Sequence, residues 1–459
     1  MEETTIAAIS TAMSASGIGI VRISGEEAVS ITDQIFHMPG GKKLSDMETH
    51  TIHYGHIRDG EEVIDEVMVL LMRGPRSYTR EDTVEIDCHG GVYVMKRILE
   101  TVIKYGARPA EPGEFTKRAF LNGRIDLSQA ESVIDVISAK NEFALKSSMK
   151  QLSGAVSDAV KEIRGEILHE IAFIESALDD PEHISLDGYG ERLELTIEGA
   201  VDRIEKLLAS SDNGRILKEG ISTVIVGKPN AGKSSLLNTL LGEERAIVTE
   251  IAGTTRDVLE EQINLNGIIL NIIDTAGIRD TDDIVEKIGV DKARKYVKDA
   301  DLILYVVDAS TNLDENDGEI MELLHGRRTI VLLNKSDLTP LTTAEDIRVH
   351  VDKDCPVISI SAREQKGIDV FTEQIRKMFF RGEVTFNDEV YITNIRHKTA
   401  LQEALSSLHL VEQSIADGMP EDFYSIDLMN AYEVLGTIIG EAVEDDLVNE
   451  IFSKFCMGK

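Results

Sequence analysis

The chain has 459 residues, of which 42% are hydrophobic, and its 82 acidic and 48 basic residues give a net charge of −34. This length predicts two to four globular domains, and the strongly negative charge argues against a general binder of nucleic acid or anionic lipid, because such a surface repels phosphate. Three widely spaced cysteines and the lack of an apolar run of membrane length predict a cytoplasmic protein without disulfides, structural zinc or a membrane partner.

The first 120 residues alternate between β-rich and helical patterns. Helices are predicted after Glu26 and after Gly91. The β-rich stretches are Gly17–Ile23, Val63–Met72 and Asp82–Cys88. Residues 1–120 are therefore predicted to form an α+β domain.

Residues 121–215 carry helical patterns. Between Leu145 and Leu178 apolar residues recur every three or four positions, which predicts one long amphipathic helix ended by Asp179-Asp180-Pro181. A second helical pattern runs from Leu193 to Leu208, and Ser210–Gly214 is predicted to be a linker. Helical patterns resume after residue 380, so residues 121–215 and 381–459 are predicted to be two halves of a helical bundle that flank an inserted domain.

The inserted region, residues 216–380, begins with a phosphate-binding motif. Residues 227 to 234 read Gly-Lys-Pro-Asn-Ala-Gly-Lys-Ser, between a β-rich run at 221–226 and a helical run from Ser235. In this context the backbone amides and Lys233 would contact phosphate oxygens, and the Ser234 hydroxyl would ligate Mg²⁺. The predicted nucleotide contacts here are Asn230, Ala231, Gly232, Lys233, Ser234 and Ser235.

Two further motifs, each at the end of a predicted strand, complete a guanine nucleotide site. Asp274-Thr275-Ala276-Gly277 would hold a magnesium-bound water and contact the γ-phosphate. In Asn334-Lys335-Ser336-Asp337, the last carboxylate can accept hydrogen bonds from guanine N1 and its 2-amino group. Adenine lacks that amino group and would leave the carboxylate unpaired. The motifs therefore predict an α/β, Ras-like GTPase domain with Asn334, Lys335 and Asp337 at the base.

Two weaker segments belong to the same predicted site. Ser361-Ala362-Arg363 follows another β-rich run and fits the last loop over the base, although alone it is a weak signal. Residues 252–257, Ala-Gly-Thr-Thr-Arg-Asp, offer Thr255 as the second hydroxyl ligand of Mg²⁺, which makes this segment a predicted switch.

The polar group that orients the attacking water is not at its most common position. Ile278 follows Gly277, where many small GTPases carry glutamine. Glu286, at the start of an acidic helical pattern, is the candidate catalytic residue. From the residues alone, an ordinary solvated glutamate remains the alternative.

Taken together, the motifs resemble the MnmE (TrmE) family of tRNA modification GTPases along the whole chain. The resemblance rests on the phosphate loop, on Ala252–Asp257, on Pro112–Thr116, on Arg118–Gly123 and on the C-terminal Phe-Cys-Met-Gly-Lys. It implies that Glu286 is catalytic and that Thr249 and Thr254 also contact GTP. It further implies a K⁺ ion bound by Asn230, Thr249, Ile251 and Thr254. From the residues alone, Asn230 could equally be a turn residue after Pro229.

The resemblance also implies a cofactor and partners. The N-terminal domains would pair in a homodimer and bind 5-formyl-tetrahydrofolate or a related one-carbon folate. The implied folate contacts are Arg22, Glu85, Arg124 and Lys459, with Arg124 standing where many relatives have lysine. An FAD-dependent flavoprotein of the MnmG (GidA) type would join in a heterotetramer or larger assembly, which adds a carboxymethylaminomethyl group at C5 of wobble uridine 34 in certain tRNAs.

Several alternatives stay open from the residues. Arg22 and Glu85 could be ordinary cross-strand charges, and Cys456 could be either a nucleophile toward C6 of uridine or a structural tail cysteine. The basic segments Lys140–Lys150 and Arg396–Lys398 could be local tRNA contacts or solvated helix faces. The alternative function is a GTP-switched assembly or scaffold protein, as in ribosome assembly, without modification chemistry.

Overall fold

The computed structural model divides the described residues into two compact units. The first comprises Met1–Ser138, Ser148–Ile204 and Thr399–Lys459, and the second comprises Ala139–Ser147 and Glu205–Lys398. The described residues are 4–186, 188–243, 261–273, 297, 300–379, 392–441, 443, 445–455 and 458. No helix in these ranges is long and apolar enough to cross a bilayer.

The first unit contains a mixed sheet with helices packed against both of its faces. Its strands are β1 (Ile6–Ile9), β2 (Gly19–Ser24), β3 (Phe36–His37), β4 (Thr51–Asp59), β5 (Glu62–Met72), β6 (Thr83–Cys88) and β7 (Arg108–Pro109). They lie in the order β3-β4-β5-β6-β2-β1-β7, and only the β1–β7 pair is parallel among them. Three helices accompany the sheet: α1 (Ala28–Ile35), α2 (Val92–Lys104) and α3 (Glu114–Leu121). The predicted α+β architecture is confirmed, and the predicted strands correspond to β2, β5 and β6.

Side chains alternate between the two faces of this sheet. In β6, Val84, Ile86 and Cys88 are buried in a core with helix residues such as Met95, whereas Glu85 between them points to the other face. On the opposite face Phe115 of α3 packs against Ile6 and Ala8. Beside this cluster, β2 brings Arg22 directly across from Glu85.

The remainder of the first unit is mainly helical. The helices of the bundle are α4 (Leu127–Ser138), α5 (Glu142–Leu152), α6 (Ala155–Asp179), α7 (Tyr189–Glu219), α12 (Ile395–Ala416), α13 (Glu421–Ile439) and α14 (Asp445–Ser453), of which α5, α7 and α12 extend into the second unit. Helices α6 and α13 pack together, and the buried Arg164 joins them by donating to the Tyr432 carbonyl oxygen at 3.0 Å and to Glu441 at 2.6 Å. Segments from both sides of the insertion thus share one bundle.

The prediction of one unbroken helix from Leu145 to Leu178 is wrong. The structure has two helices there, α5 and α6, separated at Ser153-Gly154. Gly154 precedes α6 with φ +105°, a conformation that favours glycine and interrupts the helix although the apolar spacing continues across it.

The prediction of a linker at Ser210–Gly214 is also wrong, because these residues lie inside α7. Tertiary contacts explain the helix. Ser210 Oγ accepts a hydrogen bond from Ile392 N at 3.1 Å, and a Cβ on Gly214 would lie 2.3 Å from the Ile392 carbonyl oxygen. A polar, turn-like composition is thus held in a helix by close packing of another segment.

The second unit is a layered α/β structure. Its strands are β8 (Ile221–Val226), β9 (Glu261–Leu265), β10 (Ile268–Ile272), β11 (Leu302–Asp308), β12 (Thr329–Asn334) and β13 (Val357–Ser359), in the order β13-β12-β11-β8-β10-β9. All neighbours among them are parallel except β9 and β10. Helices α8 (Lys233–Glu243), α9 (Glu315–Leu324), α10 (Ala344–Arg348) and α11 (Ile368–Phe379) accompany the sheet.

This sheet is buried on both faces. Along β11 the side chains alternate between two apolar clusters, with Leu304 and Val306 in one and Ile303 and Tyr305 in the other. Parallel strands covered on both faces place their carboxyl ends at one edge, which is where doubly wound sheets bind ligands. The predicted α/β insertion is confirmed, whereas the exact boundaries 1–120, 121–215, 216–380 and 381–459 stay predictions.

Candidate functional site

The loop after β8 has the backbone shape that phosphate binding requires. Gly227, Asn230 and Gly232 have φ values of +151°, +63° and +97°. A Cβ on Gly227 would lie 2.3 Å from the Val306 carbonyl oxygen, and a Cβ on Gly232 would lie 2.1 Å from Asn334 Nδ2. Only glycine fits at these two points, and the loop leads directly into the N-terminus of α8.

Lys233, the first residue of α8, lies against this loop. Its Nζ donates to the carbonyl oxygens of Gly227 at 2.7 Å and Lys228 at 2.8 Å. Burial lowers the pKa of the Lys233 ammonium because the charged form is poorly solvated there. An anion placed in the loop would therefore be favoured as a partner for this ammonium group.

Asn334 connects three segments of the site. Its side chain is buried, with Nδ2 donating to the Ala231 carbonyl oxygen at 2.9 Å and Oδ1 accepting from Ala362 N at 3.0 Å. Thr239 of α8 adds a further link, because its Oγ1 donates to the Ala362 carbonyl oxygen at 2.7 Å. The phosphate loop, the end of β12 and the loop after β13 are thus held together.

The residues predicted to read the base follow at the same strand end. Ser361 Oγ donates to Asp337 Oδ1 at 2.7 Å, and Ser361 Oγ also accepts from Glu364 N. The Ser361 hydrogen bond is the main cause that lowers the pKa of Asp337, which keeps its carboxylate ionised as an acceptor. Arg363 in the same loop is exposed.

Lys335 has its own partner in β11. Its Nζ lies 2.5 Å from Asp308 Oδ2, and Asp308 Oδ1 accepts from the backbone and hydroxyl of Ser310. Burial opposes ionisation of Asp308, but hydrogen bonds led by that of Lys335 lower its pKa overall. The lysine side chain is thus held at the edge of the site by a charge-assisted bond.

The structure brings together the phosphate loop, Asn334, Lys335, Asp337 and the loop Ser361–Arg363. Ser234 and Ser235 lie in the first turn of α8, beside the phosphate loop. The remaining sequence-predicted site residues lie outside the described residues: Thr249, Ile251, Thr254, Thr255, Asp274, Thr275, Ala276, Gly277, Glu286, Cys456 and Lys459.

A second cluster lies beside the buried Phe115 of α3, on the face of the N-terminal sheet opposite α1 and α2. Arg22 Nε bonds Glu85 Oε1 at 2.7 Å, and its Nη1 donates to the Gly458 carbonyl oxygen at 3.3 Å. The guanidinium carbons of Arg22 and Arg124 lie 5.2 and 4.4 Å from the centre of the Tyr78 ring. Arg22 and Arg124, which are far apart in sequence, therefore lie over one aromatic ring, and Glu85 joins them through Arg22.

Sequence reasoning missed Thr239 and Tyr78. Neither stands in a recognisable motif, because Thr239 lies inside an ordinary helical pattern and Tyr78 in a polar loop. The basic segment Lys140–Lys150 proves to make contacts within the chain, since Lys140 Nζ donates to Gln262 at 2.7 Å and Lys146 pairs with Glu142.

Comparison with known proteins places this geometry in context. A family model described as the MnmE helical domain matches residues 127–456, and one described as the GTP-binding protein TrmE N-terminus matches residues 5–124. The tRNA modification GTPase MnmE of Lachnoclostridium phytofermentans is 61% identical, with 100% of both chains covered. The protein of the same name from Clostridioides difficile is 50% identical, with 99% of each chain covered.

Among solved structures, the G domain of the T. maritima FeoB iron transporter matches 34% of this chain and 97% of its own length. The identity is 23% and the TM-score is 0.26.

Proposed function

The chain belongs to the MnmE family of tRNA modification GTPases, and on this basis we propose that it binds and hydrolyses GTP during the modification of tRNA. The observation that carries the proposal is the bonding around Asn334, which joins the phosphate loop to Ala362. Beside it, Ser361 holds the Asp337 carboxylate as an acceptor suited to the guanine edge.

The phosphate loop fits a nucleoside triphosphate with its Mg²⁺. Its two glycines leave no space for side chains, the amides at the start of α8 are available to phosphate oxygens, and Lys233 contacts backbone carbonyls from which it can turn to phosphate. Ser234, together with Thr255, would hold Mg²⁺, which neutralises charge on the β- and γ-phosphates during phosphoryl transfer.

Hydrolysis is proposed to depend on Glu286 and on K⁺. Glu286 would orient the attacking water, and K⁺ would supply positive charge near the phosphates in place of an arginine finger. Asn230 suits a K⁺ ligand, because it is exposed in the phosphate loop with φ +63° and carries an amide oxygen. Thr249, Ile251 and Thr254 would complete the shell.

The cluster around Tyr78 is proposed to bind the folate. Two guanidinium groups beside an aromatic ring suit a ligand that carries negative charge, as a folate does through its glutamate. Arg22, Glu85, Arg124 and Lys459 would contact the ligand. Arg22 also bonds the carbonyl oxygen of Gly458, the residue before Lys459 in the chain. In this proposal the N-terminal domains pair in a homodimer, and an FAD-dependent flavoprotein of the MnmG type completes the addition to wobble uridine.

One experiment tests the proposal in cells and on purified protein. Cells lacking this chain are complemented with the wild type, Lys233→Ala or Glu286→Ala, and wobble uridine is analysed by mass spectrometry. We expect the modified base only with the wild type. Purified Glu286→Ala should bind GTP normally but hydrolyse it orders of magnitude more slowly, and wild-type turnover should fall when sodium replaces potassium.

The outcomes separate the candidate functions. Normal modified uridine in cells without the chain would contradict the proposed chemistry and favour the scaffold alternative. Equal GTP turnover in potassium and sodium would contradict the K⁺ site, and unchanged turnover of Glu286→Ala would remove this residue from the mechanism.

A further inference from the structure

The second residue of the phosphate loop, Lys228, makes an ion-pair contact that the motif does not require. Its Nζ lies 2.9 Å from Asp314 Oδ2 and 2.6 Å from Asp317 Oδ2. The Lys228 side chain is 18% exposed and that of Asp317 only 2%. A lysine in a loop built for phosphate is thus already paired with two carboxylates.

The two carboxylates are fixed by the start of α9. Asp314 is the N-cap and Asp317 the third residue of a capping box, in which each side chain accepts from the other's backbone amide. Asp317 Oδ1 also accepts from the hydroxyl of Tyr305 at 2.8 Å. Tyr305 is fully buried in β11 and lies opposite Val226, the residue before the phosphate loop. The partners of Lys228 therefore stand on rigid elements.

The ammonium of Lys228 and the carboxylates of Asp314 and Asp317 stabilise one another's charge. A buried carboxylate such as Asp317 is costly without a cation, and Lys228 supplies one. Burial alone would lower the pKa of Lys228, but the hydrogen bonds to Asp317 and Asp314 raise it overall. The hydrogen bond from Lys228 is likewise the main cause that lowers the pKa of Asp314.

The same residue touches the phosphate-binding lysine through its backbone. Lys233 Nζ donates to the Lys228 carbonyl oxygen at 2.8 Å, while the Lys228 side chain reaches α9. Anchoring the side chain therefore fixes the first turn of the loop, including the carbonyl from which Lys233 extends. We propose that Lys228 is a positioning residue, which through Asp314 and Asp317 holds the phosphate loop in its binding shape before nucleotide arrives.

This role predicts a specific kinetic pattern. The loop contacts the phosphates that GDP and GTP share, so its preorganisation contributes equally to binding of both nucleotides. Loss of the contact should raise KM for GTP and leave kcat nearly unchanged. The inference rests on the proposed GTP binding and concerns how the loop attains its shape.

The test measures binding of the fluorescent nucleotides mant-GDP and mant-GTP to the full chain. Lys228→Met, which keeps the length of the side chain, should weaken both affinities by a similar factor of roughly ten, with and without Mg²⁺. Lys228→Arg should recover most of the affinity because it can still pair with both carboxylates. Asp314→Asn, which retains the N-cap acceptor, should weaken binding by a smaller factor of about two to three.

A control for the loss of a capping-box carboxylate is available in α10. Asp346 is the third residue of another capping box, in which Thr343 is the N-cap. Its side chain accepts hydrogen bonds from Thr343 and not from the phosphate loop. Asp346→Asn should leave nucleotide affinity unchanged even if its melting temperature falls, which separates loss of a helix cap from loss of the lysine contact.

The measured affinities either support or overturn the positioning role of Lys228. Wild-type affinity in folded Lys228→Met would overturn the inference, as would a loss in Lys228→Arg as large as that in Lys228→Met. If Lys228→Met does not fold, wild-type affinity in Asp314→Asn would overturn it. A wild-type chain that binds neither nucleotide would contradict the proposed function itself, whereas equal binding by wild type and variants contradicts only the positioning role.

Discussion

At Gly232 the phosphate loop passes Asn334 with no space for a side chain. A Cβ there would lie 2.1 Å from Asn334 Nδ2, and the φ of +97° is strained for any other residue. The sequence identifies Gly232 as one of the glycines of the phosphate-binding motif. The structural reason, close approach to a side chain 102 residues later in the chain, follows only from the fold.

Gly232→Ala is therefore expected to impair both stability and binding. The backbone strain costs on the order of 1–3 kcal/mol, and displacement of Asn334 would break its bonds to Ala231 and Ala362. We expect a lower free energy of unfolding in urea and GDP affinity reduced by about ten-fold or more. Gly242→Ala, at an open position of α8, is the control and should keep wild-type affinity.

The residues of the site that sequence predicted are those with fixed motif spacing. Asn334 and Asp337 could be predicted because both stand in one four-residue motif at the end of a strand. Lys228, Thr239 and Tyr78 were not assigned roles, since their partners lie far away in sequence and no local pattern encodes such contacts. Residue roles that depend on tertiary contacts needed the structure.

At the scale of elements, helical periodicity located the helices but not their ends. The apolar spacing runs through residues 145, 149, 152 and 156 without interruption, yet α5 ends and α6 begins within it. Periodicity reports which face is apolar, whereas the break depends on the left-handed backbone at Gly154. The opposite error occurred in α7, where packing of Ile392 overrode a turn-like composition.

A pair of substitutions, one just before α6 and one in its middle, tests this explanation. Gly154→Ala should lower the free energy of unfolding by about 1–2 kcal/mol, because alanine is disfavoured in the left-handed region. Gly165→Ala, in the exposed middle of the same helix with open space around it, should raise it by about 0.5–1 kcal/mol. Urea unfolding of both variants provides the measurement. A neutral or stabilising Gly154→Ala would contradict the role of this glycine in breaking the helix.

At the scale of the whole molecule, the positions of the helical patterns along the sequence predicted the domain organisation. Helical patterns before and after a parallel-sheet region predicted an insertion, and α6 and α13 from the two sides do pack together. The net charge of −34 predicted that contacts with tRNA must be local or shared with a partner. Pairing between two copies of the chain, and docking of a flavoprotein, remain predictions because each requires surfaces of another molecule.

The central claim is that residues of the second unit form a guanine nucleotide site in which Asp337 reads the base. Calorimetric titration with GDP, ADP and xanthosine diphosphate, on wild type and Asp337→Asn, tests it most directly. The wild type should bind GDP alone, and Asp337→Asn should lose GDP and gain the xanthosine nucleotide, because its amide presents a donor to the carbonyl that replaces the 2-amino group. Absence of heat with GDP in the wild type, or an unchanged base preference in Asp337→Asn, would contradict the account.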